Sequence, residues 1–102
     1  MAFWGLQEKR GKTVAGTDVC IDNIEKKKIK LLIVATDASD KTKKNMNYIC
    51  KDNDTCIIEY GLIDEISKSI GSNNKAIVGI KDKNFANEIY KIISGGEDLW
   101  GK

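Results

Sequence analysis

The chain has 102 residues, of which 41% are hydrophobic and 31% charged, with a formal net charge of +2. That is enough chain for one core and too little for two, and the composition is neither disordered nor membrane-spanning. The absence of histidine excludes His-dependent triads and finger-type zinc sites, and so mild a charge requires any nucleic-acid footprint to come from clustered lysines.

In chain order, Phe3, Trp4 and Leu6 precede Gln7-Glu8-Lys9-Arg10, which reads as a first helix stopping at Gly11. This apolar start is too short for a secretory signal, and no run approaches the ~18 apolar residues that cross a bilayer. The expected location is therefore cytoplasmic. Residues 12–16 read as a short edge strand. Thr17 is expected to cap a second helix, with Asp18 in its first turn and Cys20, Ile21 and Ile24 as the buried stripe. Lys26, Lys27 and Lys28 then complement the helix dipole, the bland reading of such a run.

The apolar run 31–35, β-branched at Ile33 and Val34, is too short for a free-standing helix. It reads as a strand covered on both faces, the centre of a sheet. Thr36-Asp37-Ala38-Ser39 leaves its carboxyl end, and Ser39 is a good N-cap for a helix opening at Asp40. Thr42, Met46, Ile49 and Cys50 fall on one face of that helix. After a polar connection, 55–60 is the next strand, broken by Gly61. Ile63, Ile66 and Ile70 make a short amphipathic helix that Gly71 ends, and Lys68-Ser69 on it reads as ordinary surface. Residues 76–80 form another buried strand, in which Gly79 allows close approach of a neighbour. Phe85, Ile89, Ile92 and Ile93 line the last helix, which Gly95-Gly96 terminates, and 97–102 is a tail. Strands alternating with short helices predict an α/β domain spanning 1–102, with helices on both faces of a small sheet.

The chemistry-bearing motifs are sparse. There is no Gly-x-Gly-x-x-Gly and no Walker-type loop, so dinucleotides and nucleoside triphosphates lack their phosphate cradle. Asp37, Asp40 and Asp82 read as a helix-terminal carboxylate and two turn formers rather than as a magnesium site. Cys20, Cys50 and Cys56 are odd in number and form no Cys-x-x-Cys pair, so they are expected as free thiols without a metal. No nucleophile–base pair is visible. The expectation is a protein that is not an enzyme and has no cofactor, small-molecule substrate or membrane contact.

Gly16-Thr17-Asp18, the block from Lys30 to Ser39, and Thr42-Lys43-Lys44 resemble the kink-turn-binding ribosomal-protein superfamily, the L-seven-Ae and L-thirty-e type. The segment ending Ser69-Ile70-Gly71 and the helix opening Phe85-Ala86-Asn87 extend the likeness toward its small bacterial YlxQ-type members. The resemblance implies a three-layer α-β-α sandwich around a four-stranded mixed sheet. It also implies an RNA site at one end of the sheet, made of Gly16, Thr17, Asp18, Thr36, Asp37, Ser39 and the loop Gly71, Ser72, Asn73, Asn74 and Lys75. Lys12, Lys30, Lys43, Lys44 and Lys75 are expected to supply the surrounding positive charge. Kink-turn binders carry Asn-Glu-x-x-Lys at the start of the helix after Gly16, where this chain has Asp18, Val19 and Asp22. Val19 accepts no hydrogen bond and Asp22 repels phosphate. The resemblance therefore implies a non-enzymatic RNA-binding protein, attached to ribosomal or another structured RNA, with a degenerate kink-turn motif. The alternative is a ribosome-associated protein-interaction module on the same scaffold.

Overall fold

The computed structural model describes residues 11–96, and the first helix and the tail expected from the sequence lie outside them. The described elements are β1 (Thr13–Ala15), α1 (Thr17–Glu25), β2 (Leu31–Val34), α2 (Asp40–Asp52), β3 (Cys56–Glu59), α3 (Ile63–Ser69), β4 (Ile77–Ile80) and α4 (Lys83–Ser94). The strands make one mixed sheet in the order β1-β4-β2-β3. The two strands joined by α2 are parallel, and β4 runs antiparallel to both β1 and β2.

Every residue of β2 and β4 is buried, so helices cover both faces of the sheet and the architecture is the three-layer α-β-α sandwich. The apolar run of β2 is central, as its continuous hydrophobicity requires. The edge strand β3 instead exposes Cys56 and Glu59 and half-buries Ile57 and Ile58. Gly79 sits opposite Val14. A methyl group placed there would come within 2.7 Å of Ile29 Cδ1 and 3.2 Å of Val14 Cγ2. Close packing against Ile29 is therefore the reason this strand carries a glycine.

The helix ends follow local chemistry. Ser39 Oγ accepts from the Thr42 amide at 3.1 Å, and Asp82 Oδ2 accepts from the Phe85 amide at 2.8 Å. Gly95 closes α4 in the left-handed conformation. Two expectations are corrected. The N-cap of α1 is Gly16, not Thr17, and no side chain caps that helix. Ile92 does not line the core: it is 61% exposed, while Ala86 is fully buried. The buried stripe runs through Ala86, Ile89 and Ile93 at the i, i+3, i+7 spacing, which leaves Ile92 off its centre.

Cys20 and Cys50 are buried in the core and Cys56 is exposed. Burial pushes the Cys20 thiol up from 9.0 to about 12, and that of Cys50 up to about 11. The folded state thus holds these protons more tightly than the unfolded chain. Their contribution to stability is complete below about pH 9 and lost as pH rises through about 11 to 12. At neutral pH an alkylating reagent should label Cys56 of the native protein, reaching Cys20 and Cys50 only after denaturation. Equal labelling of all three in the native state, read by peptide mass, would contradict this packing.

Candidate nucleic-acid interface

Three hydrogen bonds gather separate loops at one end of the sheet. The Gly16 amide donates to Ile77 O at 3.1 Å, the Ala35 amide to Ala76 O at 2.8 Å, and the Thr36 amide to Gly61 O at 2.8 Å. The end of β1, the loop after β2, the turn after β3 and the start of β4 therefore share one edge. The residues expected from the sequence to contact RNA there, Gly16, Thr17, Asp18, Thr36, Asp37, Ser39 and the loop 71–75, all lie on it.

Gly16 is where the geometry is most demanding. Its φ of +97° with ψ of 151° is a conformation that side-chain-bearing residues rarely adopt. With glycine there and no side-chain cap, the first-turn amides of α1 are left without a side-chain acceptor, at the positive end of the helix dipole. Lys75 stands beside it: a methyl group on Gly16 would sit 3.5 Å from the Lys75 Nζ. One ammonium group and one uncapped helix start thus face the same space, an arrangement that favours an anion.

What positions Lys75 is a residue that sequence reasoning passed over. Ser67 is 3% exposed, and its Oγ accepts from the Lys75 amide at 2.7 Å and donates to Lys75 O at 3.3 Å. The Ser72 amide in turn donates to Ser67 O at 2.8 Å. Ser67 thus holds both ends of the loop, Lys75 through its hydroxyl and Ser72 through its carbonyl, and the turns between place Gly71 and Asn74 at φ of +68° and +54°. Ser69 is buried too, its Oγ donating to Ile66 O at 2.7 Å, so the surface reading of Lys68-Ser69 fails for the serine. Nothing in a seven-residue helix marks Ser67 as internal, because the partner of its hydroxyl is the backbone of Lys75 in the following loop.

The loop after β2 is held by its own side chains. Thr36 Oγ1 donates to Gly61 O at 2.9 Å, and Asp37 Oδ1 accepts from the Ile63 amide at 2.8 Å. Ser39 Oγ, already the α2 cap, also donates to Thr42 Oγ1 at 2.9 Å. These three shape the edge, while Thr17, Asp18, Asn73 and Asn74 stand exposed on it.

The electrostatics differ from expectation. Lys43 and Lys44 do lie at this edge, but Lys43 Nζ is 3.4 Å from Glu59 Oε1. Asp18, Asp37, Asp40 and Glu59 offset Lys41, Lys43, Lys44 and Lys75, so the edge carries no excess of positive charge. Lys12 and Lys30 are not part of it. They stand at the opposite end of the sheet, where the Lys81 amide donates to Lys12 O and the Lys30 amide to Ile80 O, both at 2.7 Å. Antiparallel pairing of β4 with β1 and β2 sends these residues away from Gly16. The same topology separates Asp82 from Asp37 and Asp40, and among the described residues no group of three or more ligands gathers for a metal ion. Val19 is 49% exposed on α1, and Asp22 pairs with Lys26 at 3.0 Å. No helix among the described residues is long and apolar enough to cross a membrane.

Comparison with known proteins agrees with this architecture. The family model of ribosomal protein L7Ae/L30e/S12e/Gadd45 matches residues 4–90. The chain is 33% identical over 95 residues to the RNA-binding protein YlxQ of Enterococcus faecium, covering 93% of this chain and 91% of that one. It is 27% identical over 92 residues to the RNA-binding protein YlxQ of Bacillus subtilis, covering 87% and 89%. Among solved structures, a protein of unknown function from Bacillus halodurans superposes with a TM-score of 0.83 at 21% identity, over 92% of this chain and 99% of that one. A Giardia lamblia 15.5kD RNA binding protein superposes with a TM-score of 0.70 at 15% identity, over 90% and 78%.

Proposed function

The chain belongs to the ribosomal protein L7Ae/L30e/S12e/Gadd45 family, and from that premise we propose that it is a cytoplasmic, non-enzymatic RNA-binding protein. Its partner in this reading is a structured RNA, ribosomal or other, held at the Gly16 edge. The observation that carries the proposal is the Lys75 ammonium beside the uncapped start of α1. There a phosphate would receive backbone N–H groups and a cation together. Relatives covering nine-tenths of the chain that are named RNA-binding proteins support the same reading.

Affinity on this edge rests on positioned groups, since the carboxylates cancel most of the long-range attraction. The exposed Asn73 and Asn74 offer amide donors and acceptors to base edges, and Asp18 offers an acceptor to a guanine amino group. One feature favours a second reading, a protein-interaction module. Val19 and Leu62 expose 49% and 46% of their surface in and near this edge, as a protein partner would use them.

Crosslinking in cells, with the RNA sequenced and the crosslinked peptides mapped, decides between the two. Crosslinks should fall in residues 16–19 and 71–75, and the recovered RNA should bind the purified protein with a salt-dependent affinity. Lys75→Glu should weaken that binding, and Gly16→Val should weaken it through the distorted cap. Binding of the recovered RNA that is unchanged in both variants would overturn the assignment of the edge.

A further inference from the structure

The pole opposite the Gly16 edge carries charge that the proposed function does not use. Lys12, Lys81 and Lys30 stand one residue beyond the paired register of β1, β4 and β2, joined by the Lys81-to-Lys12 and Lys30-to-Ile80 hydrogen bonds. Adjacent strands lie about 4.8 Å apart, so three ammonium-bearing residues sit side by side over roughly 10 Å. Like charges placed directly across neighbouring strands oppose folding. The carboxylates nearby relieve this little. Asp82 is 3.9 Å from Lys12 Nζ and is engaged by the Phe85 amide as the α4 cap, while Lys30 and Lys81 have no ion pair among the described residues.

The row continues into a cleft of about 230 Å³ between the loop after α1 and the loop after α2. Lys27, Lys30, Asn53, Asp54 and Thr55 are among its lining residues, and Lys27 Nζ donates to Asn53 O at 3.1 Å. Lys28 is exposed in the same loop, and α4 opens at this pole with the positive end of its dipole. The basic run 26–28 is thus more than a solvated helix end, because the fold delivers it to the row made by three strands.

We propose that this pole is a second RNA-contacting surface, in which Lys12, Lys30 and Lys81 take the phosphate backbone of an RNA segment other than the one at the Gly16 edge. Two observations favour a polyanionic backbone over an acidic protein. Among the described residues the positive groups here are all lysines, point charges suited to phosphates irrespective of sequence, without the planar fork that arginine offers carboxylates. Among the described residues the large exposed apolar side chains, Val19, Tyr48, Tyr60, Leu62 and Ile92, all lie outside the loops of this pole, which gives a protein interface no large apolar centre there. A protein reading structure at one end and gripping backbone at the other would hold two RNA segments together across the length of its sheet.

The test uses a short blunt-ended RNA duplex of arbitrary sequence, titrated over a range of salt. Lys12→Gln/Lys30→Gln/Lys81→Gln should lower the log–log salt slope by about two to three units, taking roughly 0.9 per lost phosphate contact from duplex DNA. Gly16→Val removes no charge, so it should leave the salt slope of duplex binding unchanged even where it weakens the affinity. If the triple variant does not melt cooperatively, Lys30→Gln alone, an exposed position, should lower the slope by about one unit. An unchanged slope overturns the proposal. So does an equal loss of slope in Gly16→Val, which would mean a single surface, or competition by poly-glutamate as effective as by RNA, which would assign an acidic protein instead.

Discussion

Val34→Asp should leave this chain unable to fold. Val34 is 0% exposed in β2, flanked in register by Ile77 of β4 and Glu59 of β3. Its neighbours along the strand, Leu31, Leu32 and Ile33, are equally inaccessible, so the strand has apolar cover on both faces. Among the described residues the core holds no cation with which a carboxylate here could pair. Desolvating it, or protonating it to avoid that, costs several kcal/mol, and the lost packing of a branched side chain adds about 1.5 to 3 kcal/mol more. A domain of this size has a total stability of only about 5–15 kcal/mol, so the substitution removes most or all of it. Loss of the cooperative thermal transition is the expected result. Val34→Ile, which keeps the chemistry and adds one methylene, should fold with a modest loss from overpacking. A Val34→Asp protein melting like the parent would remove β2 from the centre of the sheet.

That central strand was legible because its information is local: a continuous apolar run can be satisfied only where both faces are covered. The Ser39 cap was legible for the same reason, since its donor lies three residues away, whereas Asp82, read as a turn former, is found to cap α4. Gly79 was readable as a place of close approach, although only the fold names Ile29 as the neighbour. What the sequence hid is what depends on direction. Lys12 lies four positions before Gly16 and Lys30 six before Thr36, so along the chain both look like flanking charge for the edge. A strand rising about 3.3 Å per residue carries each to the far pole instead. Ser67 was hidden because a buried hydroxyl is distinguished from a surface one only by its partner, here the backbone of Lys75. The balanced charge of the edge was hidden too, because Glu59 reaches Lys43 from another strand.

On a standard kink-turn RNA the wild-type chain should bind weakly, and repairing two positions of α1 should strengthen it. The kink-turn binders that this chain resembles place Asn-Glu-x-x-Lys where it has Asp18, Val19 and Asp22, on the exposed face of the helix that starts at Gly16. Val19 is 49% exposed there, so a base edge brought against it would be desolvated by a methyl group rather than met by an acceptor. Asp22 presents a carboxylate where the pattern has a cation, and its pairing with Lys26 at 3.0 Å is a solvent-exposed contact that offsets little of the repulsion. Each lost base contact is worth roughly 1–3 kcal/mol, taking DNA groove readout as the guide, so the two together cost about thirtyfold or more. The repair, Val19→Glu/Asp22→Lys, changes two exposed side chains. Its helix should hold, because glutamate and lysine are good helix formers and the Gly16 cap is untouched. The double variant should gain kink-turn affinity that is abolished by replacing the tandem G·A pairs, while wild-type binding is weak and indifferent to that replacement. Tight wild-type binding that depends on the G·A pairs would mean that Asp18, Lys75 and the asparagines of the neighbouring loop suffice for recognition.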